Sequence, residues 1–368
     1  ALYEARIIRI LDRQQKQLFG VIMAAGKGFR LQPSERGKRD SLDVQVPNDM
    51  TIEAGDLVKA RLMPSRGYLG KTARVVINLG NASSPGAFSA LTLAEFGIRH
   101  QFPDAPISES KGLKVPPVNG RRDLRDHQLV TIDGADARDF DDAVFAEPAD
   151  HGGWRLIIAI ADVSYYVRPD SALDLEARKR GNSVYLPDRV VPMLPETISN
   201  DLCSLRPDED RAAMIAEINI DKDGKRLSHK IERALIRSHA RLTYEEVQAV
   251  YDGTMDEADC NLSHGILQAL FGAWRALDED RKKREPLALS LKERRVIMDD
   301  CGNAIAISQS LQTESQRLIE DFMIAANVAA ADTLIASRLP CVFRVHDTPD
   351  PKKAATLTEL AKTLGGSF

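Results

Sequence analysis

The sequence has few of the residues that mark zinc sites, disulfide frameworks or membrane spans. Its 368 residues include seven histidines, without an HExxH motif, and four widely spaced cysteines: Cys203, Cys260, Cys301 and Cys341. Zinc chemistry and a dense disulfide framework therefore have no support. No apolar run approaches the roughly 20 residues that a helix needs to cross a bilayer, and the first residues lack a signal-peptide layout. We expect a cytoplasmic protein in a reducing compartment, with no membrane association.

Positive and negative charges are unevenly divided along the chain. The formal net charge is −4, yet residues 1–80 contain 14 lysines and arginines against 8 aspartates and glutamates. The rest of the chain is correspondingly acidic. A basic amino-terminal part attracts polyanions such as nucleic acids, whereas an acidic remainder can hold cations.

Residues 1–80 have the pattern of a small all-β barrel. Short strand-like runs recur without a helical period between them, at 5–11, 17–23, 28–31, 41–46, 56–62 and 72–78. The turn at 25–30 places two cations, Lys27 and Arg30, beside the aromatic Phe29, a mixture that can follow phosphates and stack on a base. Burial in the barrel core is the alternative for Phe29. The arrangement resembles an OB-type cold-shock domain.

The remainder of the chain predicts an α+β fold. Residues 81–127 are predicted to form a linker, with a helix-like run at 89–96 followed by a proline-rich stretch that contains Pro103, Pro106, Pro116 and Pro117. From residue 128 onward, buried strands are followed by a hairpin around Asp223 and Gly224 and by a capping box at Thr243–Glu246. Other elements are predicted as helices at about 171–181, 258–284, 312–338 and 350–364 and a strand at 341–346.

Residues 133–142 are the most acidic stretch, and they lie between two predicted strands. They contain five aspartates, Asp133, Asp136, Asp139, Asp141 and Asp142. Carboxylates this close raise one another's pKa and destabilise a fold unless cations lie among them. Oxygen ligands suit Mg²⁺ or Mn²⁺ far better than zinc. A solvated acidic loop is the alternative.

The spacing of the aspartates distinguishes three kinds of acidic site. An EF-hand loop that began at Asp133 or Asp139 would need glycine at its sixth position, where the sequence has Arg138 or Val144. A phosphatase that forms an aspartyl phosphate needs Asp-x-Asp directly after the strand, but Asp136 is three positions from Asp133. A two-metal phosphodiesterase site needs several carboxylates around ions about 3.5–4 Å apart, which fits best.

Six stretches of the chain, in order, closely resemble the catalytic RNB domain of the ribonuclease II and ribonuclease R family: Thr131–Asp142, Ile158–Val167, Val191–Pro195, Leu202–Leu205, Ser238–Tyr244 and Ile319–Asn327. The first is more similar to ribonuclease R. The resemblance implies an RNB catalytic fold over residues 128–368, after a cold-shock barrel in 1–80. It also implies a processive 3′-to-5′ exoribonuclease that hydrolyses single-stranded RNA to 5′-mononucleotides with metal-activated water. A monomer that does not act on DNA is expected.

By this resemblance, four aspartates are expected to be catalytic and to bind Mg²⁺, or Mn²⁺: Asp133, Asp139, Asp141 and Asp142. Asp136 matches no aspartate of the family. Arg138 is expected to pair with one of the carboxylates, because an ionised partner is what such a cluster needs.

Three further residues match family positions near the terminal nucleotides of the RNA: Tyr185, Tyr244 and Glu320. Stacking on an aromatic ring tolerates any base, which suits a degrader without sequence preference. Core packing is the alternative for Tyr244, and an ion pair with Arg317 is the alternative for Glu320. Lys27, Phe29 and Arg30 complete the expected RNA-binding set.

In the family, the RNB domain continues into a Thr-Ser-Pro-Ile-Arg-Arg-Tyr-like segment, whose arginine contacts the scissile phosphate, and then into an OB-type RNA-binding domain. Neither occurs in this sequence, so we expect the chain to be truncated relative to the family. We also expect the 368-residue chain alone to bind Mg²⁺ and RNA weakly and to degrade RNA poorly. A non-catalytic RNB-type RNA-binding protein is the alternative, and the four intact aspartates argue against it.

Overall fold

The computed structural model describes residues 17–26, 28–34, 40–63, 72–150, 152–260, 262, 265–284, 293–299, 302–310 and 312–366. The strand predicted at 5–11 and the RNA-binding residue predicted at Lys27 lie outside these residues. Among the helices that are described, none is both long and apolar enough to span a membrane.

A closed barrel forms the amino-terminal part of the structure. Its strands are β1 (Gln17–Ala25), β2 (Gly28–Pro33), β3 (Leu42–Gln45), β4 (Asp56–Leu62) and β5 (Thr72–Asn81). They pair in the order β1-β2-β3-β5-β4, and only the β3–β5 pair is parallel. Apolar side chains fill the interior, among them Ile22, Leu31 and Val58. The predicted OB-type barrel is confirmed, and closure leaves its sheet without an unpaired edge.

The segment predicted as a linker contains packed elements: α1 (Ala87–Glu95), α2 (Asp104–Lys111) and β6 (Arg122–Leu124). Helix α1 packs on the barrel, because Ala87 and Leu91 share a buried cluster with Phe19 and Leu57. Strand β6 joins the large sheet of the following part by parallel pairing. This segment therefore contributes to both neighbouring parts of the fold.

A seven-stranded mixed sheet organises the rest of the chain. Its strands are β6, β7 (Val130–Asp133), β8 (Asp142–Pro148), β9 (Trp154–Ala161), β12 (Asp210–Ile220), β13 (Arg226–Arg237) and β14 (Ala240–Thr243). Their order is β14-β7-β8-β9-β12-β13-β6, with parallel pairs at both edges. In the sequence between β9 and β12, the strands β10 (Val184–Tyr185) and β11 (Val190–Val191) form a separate two-stranded sheet.

Helices pack on both faces of this sheet, and its central strands, such as β9, carry apolar side chains on both sides. The helices after β9 are α3 (Val163–Tyr166), α4 (Ala172–Arg180), α5 (Tyr244–Tyr251), α6 (Ile266–Lys282), α7 (Glu314–Ala336) and α8 (Pro351–Thr363), the last of which has no buried residue. Residues of α5, α6 and α7, such as Phe271 and Phe322, pack on one face. Tyr166 and Leu173 of α3 and α4 pack on the other. A hairpin of β15 (Glu293–Met298) and β16 (Ala304–Ser310) precedes α7. The predicted α+β class is confirmed.

Two predicted elements differ from the structure. The helix predicted at 258–284 is divided, with a 3₁₀ turn at Glu257–Cys260 before α6 begins at Ile266. The strand predicted at 341–346 is wrong, since that segment has no strand pairing and Val342 is 99% exposed. A strand needs a neighbour to satisfy its backbone groups, and β propensity alone does not supply one.

Gly224 closes the β12–β13 hairpin and is expected to tolerate no side chain. Its φ is 84°, and an added Cβ would lie 2.0 Å from the backbone oxygen of Ala276 in α6. We expect Gly224→Ala to lower the free energy of unfolding by about 3 kcal/mol, measured by urea denaturation. Gly253→Ala is the matched control, because Gly253 has a φ of 73° but no atom within 4 Å of its Cβ position. Equal losses in both variants would contradict the role of the close contact.

Candidate active site

The acidic stretch joins the ends of two neighbouring strands. Asp133 is the last residue of β7, and Asp142 is the first residue of β8. Residues 134–141, which we call the acidic loop, connect them and carry Asp139 and Asp141. Because β7 and β8 pair directly, both ends of the loop are fixed to the sheet.

Burial and mutual repulsion raise the pKa of three of these carboxyl groups. Burial, followed by the charges of Asp141 and Asp139, raises the pKa of Asp133 to about 6. Burial and Asp139 raise the pKa of Asp141 to about 6, although the residue as a whole is exposed. Burial, Asp133 and Asp141 raise the pKa of Asp142 to about 7. The cluster therefore has uncompensated negative charge, which a bound cation would stabilise.

The carboxylates share one end of the sheet without forming a ready coordination shell. Within the described ranges, no group of three or more His, Cys, Asp or Glu side chains has the spacing to hold a metal ion. The Oδ2 atom of Asp133 is buried and has no hydrogen-bond partner among the described residues. Carboxylates repel one another, so a cation among them would stabilise a closer arrangement.

Both predicted tyrosines lie beside the aspartates. The hydroxyl of Tyr185 in β10 donates a hydrogen bond to Oδ2 of Asp139 at 3.0 Å, and 66% of the residue is exposed. Burial, followed by this bond, raises the pKa of Tyr185 to about 12. Tyr244 follows β14, whose Thr243 pairs with Asp133. Burial, with the charges of Asp133 and Asp142, raises the pKa of Tyr244 to about 12.

The predicted core packing of Tyr244 is also present in part. Tyr244 begins α5, where the predicted capping box between Thr243 and Glu246 is confirmed. Its side chain is partly buried against the core that α5, α6 and α7 cover. Its backbone oxygen accepts a hydrogen bond from Ser315 of α7 at 2.9 Å. Packing therefore fixes the position of this ring beside the cluster.

Two residues that the sequence did not identify as functional hold the acidic loop. Ser204 Oγ accepts a hydrogen bond from the Phe140 amide at 3.1 Å and donates one to the Arg138 carbonyl at 2.9 Å. Arg241 of β14 contacts the loop at the Ala135 carbonyl and at the Phe140 ring. Both residues lie inside stretches that resemble the family, Leu202–Leu205 and Ser238–Tyr244. These resemblances are the sequence feature that could have identified them.

The prediction that Arg138 pairs with a carboxylate is wrong. Among the described residues, no ion pair joins Arg138 to a carboxylate, and Arg138 is exposed. The cation whose charge acts on Asp133 is Arg241, which is more than 100 positions away in sequence. Arg138 was predicted because it is close to the aspartates in sequence. The pairing of β14 with β7 places Arg241 beside them instead.

Glu320 lies on the exposed side of α7, away from any described contact with the acidic loop. It accepts a hydrogen bond from Gln312 Nε2 at 2.6 Å. Among the described residues, the side-chain partner of Glu320 is thus Gln312 and not Arg317, the alternative that the sequence offered. The role of Glu320 in RNA binding stays a prediction.

The barrel residues that are predicted to bind RNA also have contacts close to them, within the barrel. Phe29 is half-buried and packs against the barrel core, which agrees with the alternative of burial. Arg30 is exposed; it donates a hydrogen bond to the Ser41 carbonyl at 2.7 Å and lies 3.5 Å from Asp43. No described contact joins either residue to the acidic loop, and their RNA binding also stays a prediction.

Comparison with known proteins places this architecture in one family. The sequence matches the RNB domain over residues 121–366. Ribonuclease R of Vibrio parahaemolyticus is 38% identical over 375 residues, which cover 98% of this chain and 44% of that protein. The chain thus spans less than half the length of this curated relative.

Solved structures agree with the sequence match. Mycoplasma genitalium RNase R in complex with ribose-methylated single-stranded RNA is 27% identical with a TM-score of 0.84, over 97% of this chain and 57% of that chain. The same protein in complex with double-stranded RNA is 28% identical with a TM-score of 0.85, over 98% of this chain and 64% of that chain. The chain therefore belongs to the RNB-domain family, whose members include the ribonuclease R proteins that match it.

Proposed function

We propose that this chain carries the catalytic aspartates of a processive 3′-to-5′ exoribonuclease, which hydrolyses single-stranded RNA to 5′-mononucleotides. The observation that carries the proposal is the set of aspartates at the joined ends of β7 and β8, three of them with a raised pKa. Membership of the RNB-domain family supports RNA as the substrate, as does the complex of the Mycoplasma genitalium relative with single-stranded RNA.

Mg²⁺, or Mn²⁺, is the proposed cofactor, and its proposed ligands are Asp133, Asp139, Asp141 and Asp142. The donor set fits, because all four supply carboxylate oxygens and Oδ2 of Asp133 is buried without a partner in the described part of the chain. A divalent ion bound among such carboxylates activates water and stabilises the leaving oxygen. The protein supplies the positions of the carboxylates and a partly dry surrounding.

Tyr185 and Tyr244 are proposed to stack on bases at the end of the RNA. Tyr185 presents an exposed ring, and its hydroxyl also fixes one oxygen of Asp139 by a hydrogen bond. Tyr244 is fixed beside Asp133 by the pairing of β14 with β7. Since every base has an aromatic face, this arrangement supports degradation without sequence preference.

The proposed function is tested with 5′-labelled single-stranded RNA and an excess of protein, in Mg²⁺, in Mn²⁺ and in a chelator. We expect the labelled RNA to shorten stepwise from its 3′ end and 5′-mononucleotides to accumulate only with the metal. A DNA strand of the same sequence is the matched control and should persist. Internal cleavage, or release of nucleotides that the chelator does not reduce, would contradict the proposal.

A non-catalytic RNB-type RNA-binding protein is the second candidate. It is favoured by the absence, among the described residues, of a carboxylate group already spaced for a metal ion. In the same assay this candidate predicts retained RNA binding without mononucleotide release at any Mg²⁺ or Mn²⁺ concentration. The two candidates therefore differ in one measured product.

Replacing Tyr185 separates ring stacking from the hydrogen bond of its hydroxyl. We expect Tyr185→Ala to weaken binding of single-stranded RNA by about 1–3 kcal/mol, because an exposed ring is lost. Tyr185→Phe keeps the ring and should bind RNA nearly as well as the wild type. Fluorescence anisotropy in a chelator measures affinity without cleavage. An equal loss in both variants would assign the effect to the hydroxyl instead.

A further inference from the structure

Arg241 lies on the face of the sheet that the acidic loop covers. In the parallel pairing of β14 with β7, Arg241 is opposite Thr131, and Thr243 is opposite Asp133. The intervening residues Leu242 and Ile132 belong to the core under α5, α6 and α7. Because side chains alternate along a strand, Arg241, Thr131 and Asp133 project to the opposite face. The side chain of Phe140 from the acidic loop is buried on that face.

One guanidinium contacts both ends of the acidic loop. Nη2 of Arg241 donates hydrogen bonds to the carbonyls of Gly134 at 3.2 Å and Ala135 at 2.7 Å, at the start of the loop. The same guanidinium lies 5.3 Å from the ring centroid of Phe140, near the end of the loop. The loop residues between these contacts include Asp139. A planar group with several donors suits this double contact, whereas an ammonium group does not.

Three polar atoms on this face are buried without a hydrogen-bond partner among the described residues. They are Nε of Arg241, Oγ1 of Thr131 and Oδ2 of Asp133. Unpartnered buried polar atoms destabilise a fold, and an ordered water is a usual partner for such atoms. The strand pairing keeps Arg241 here, next to the carboxylate cluster, even though one of its donors is unused.

Charge compensation alone does not account for this position. The charge of Arg241 acts to lower the pKa of Asp133, yet burial and the neighbouring aspartates still raise that pKa to about 6. A fixed cation also repels a divalent ion, so its charge opposes metal binding. Its contacts with the loop backbone and with the Phe140 ring remain to account for its position.

We propose that Arg241 is a positioning residue, which holds the acidic loop in the conformation that brings Asp139 and Asp141 towards Asp133. This inference rests on the proposed metal-dependent function and deepens it. It assigns to the Ser238–Tyr244 motif a role besides the supply of Tyr244. Arg241 itself contacts neither metal nor RNA in this role.

Mn²⁺ binding to Arg241→Lys and Arg241→Gln, measured by electron paramagnetic resonance, tests the proposal. Lysine keeps the charge and loses the paired carbonyl contacts and ring contact, whereas glutamine loses all of these. We expect both variants to bind Mn²⁺ about tenfold more weakly, or worse. Tighter binding by Arg241→Gln with unchanged binding by Arg241→Lys would show a charge effect only and overturn the proposal. Arg237→Gln, which removes a surface pair with Asp210, is the matched control and should bind normally.

Amide hydrogen exchange of the metal-free protein provides a readout that needs no cofactor. We expect residues 134–141 to exchange faster in both Arg241 variants and at the wild-type rate in Arg237→Gln. Unchanged exchange in the Arg241 variants would overturn the positioning role, even if their thermal stability fell. If the wild type bound no Mn²⁺, the proposed metal function would fail, and the exchange rates would still decide the role of Arg241.

Discussion

Asp141→Asn is expected to lower mononucleotide release from single-stranded RNA by about 10²–10³-fold, with little change in RNA affinity. Asparagine has nearly the same shape as aspartate but has no charge and one fewer carboxylate oxygen. Asp141 is close enough to Asp133 and Asp142 for its charge to raise the pKa of both. Its removal therefore takes a ligand out of the proposed metal site and leaves the rest of the loop in place.

The measurement uses single-turnover conditions with protein in excess, so that slow release can be quantified above a protein-free control. Asp136→Asn is the matched control, since Asp136 lies in the same acidic loop and matches no aspartate of the family. It should release nucleotides at close to the wild-type rate. Equal degradation by Asp141→Asn and the wild type would rule out the assigned role of Asp141. An equal loss in both variants would point to the charge of the loop as a whole.

In the absence of divalent ions, the protein is expected to be less stable at pH 8 than at pH 5. The pKa values of Asp133, Asp141 and Asp142 are raised in the fold from an ordinary value of 3.8 to about 6, 6 and 7. Above about pH 4 the unfolded chain loses these protons first, so the folded state binds more protons. The free energy of unfolding then falls as the pH rises and levels off above about pH 7.

Asp142→Asn should remove part of this loss, because asparagine cannot ionise. At pH 8 in a chelator we expect the variant to be more stable than the wild type by about 2–4 kcal/mol, measured by urea denaturation. At pH 5 the difference should be small. Added Mg²⁺ should stabilise the wild type at pH 8 more than the variant.

Asp123→Asn provides a control of opposite sign. A hydrogen bond from Arg125 lowers the pKa of Asp123 to about 2, so its charge is favoured in the fold. This variant should not be stabilised at pH 8. If the wild type were equally stable at pH 5 and pH 8 in the chelator, and Asp142→Asn were unchanged, the repulsion within the cluster would be refuted.

Elements that depend on neighbouring residues were predictable from the sequence. Five barrel strands, the hairpin at Gly224 and the capping box at Thr243 lie where the sequence pattern places them. Each of these is determined within a short window, by alternation of apolar residues, by turn chemistry or by a side chain that caps its own helix. The carboxylates could also be identified, because their charge is concentrated within ten residues.

The residues that hold the acidic loop in place could not be predicted, because they are far from the loop in sequence. Ser204 and Arg241 reach the acidic loop only through the packing and pairing of strands, which no local pattern reveals. The expected pairing of Arg138 was wrong for the same reason. Likewise, residues 341–346 have strand-forming side chains but no partner strand among the described residues, so propensity alone misled the prediction.

The parallel pairing of β7 with β14 also determines when the site can form during folding. Strand β7 ends at Asp133, and β14 begins only at Ala240. On the ribosome, the aspartates emerge long before the strand that pairs beside them, and such distant contacts form slowly. A nascent chain that has not yet reached Thr243 therefore has the acidic residues but lacks Arg241 and the neighbouring strand edge. Assembly of the site therefore waits until this one short strand has been synthesised.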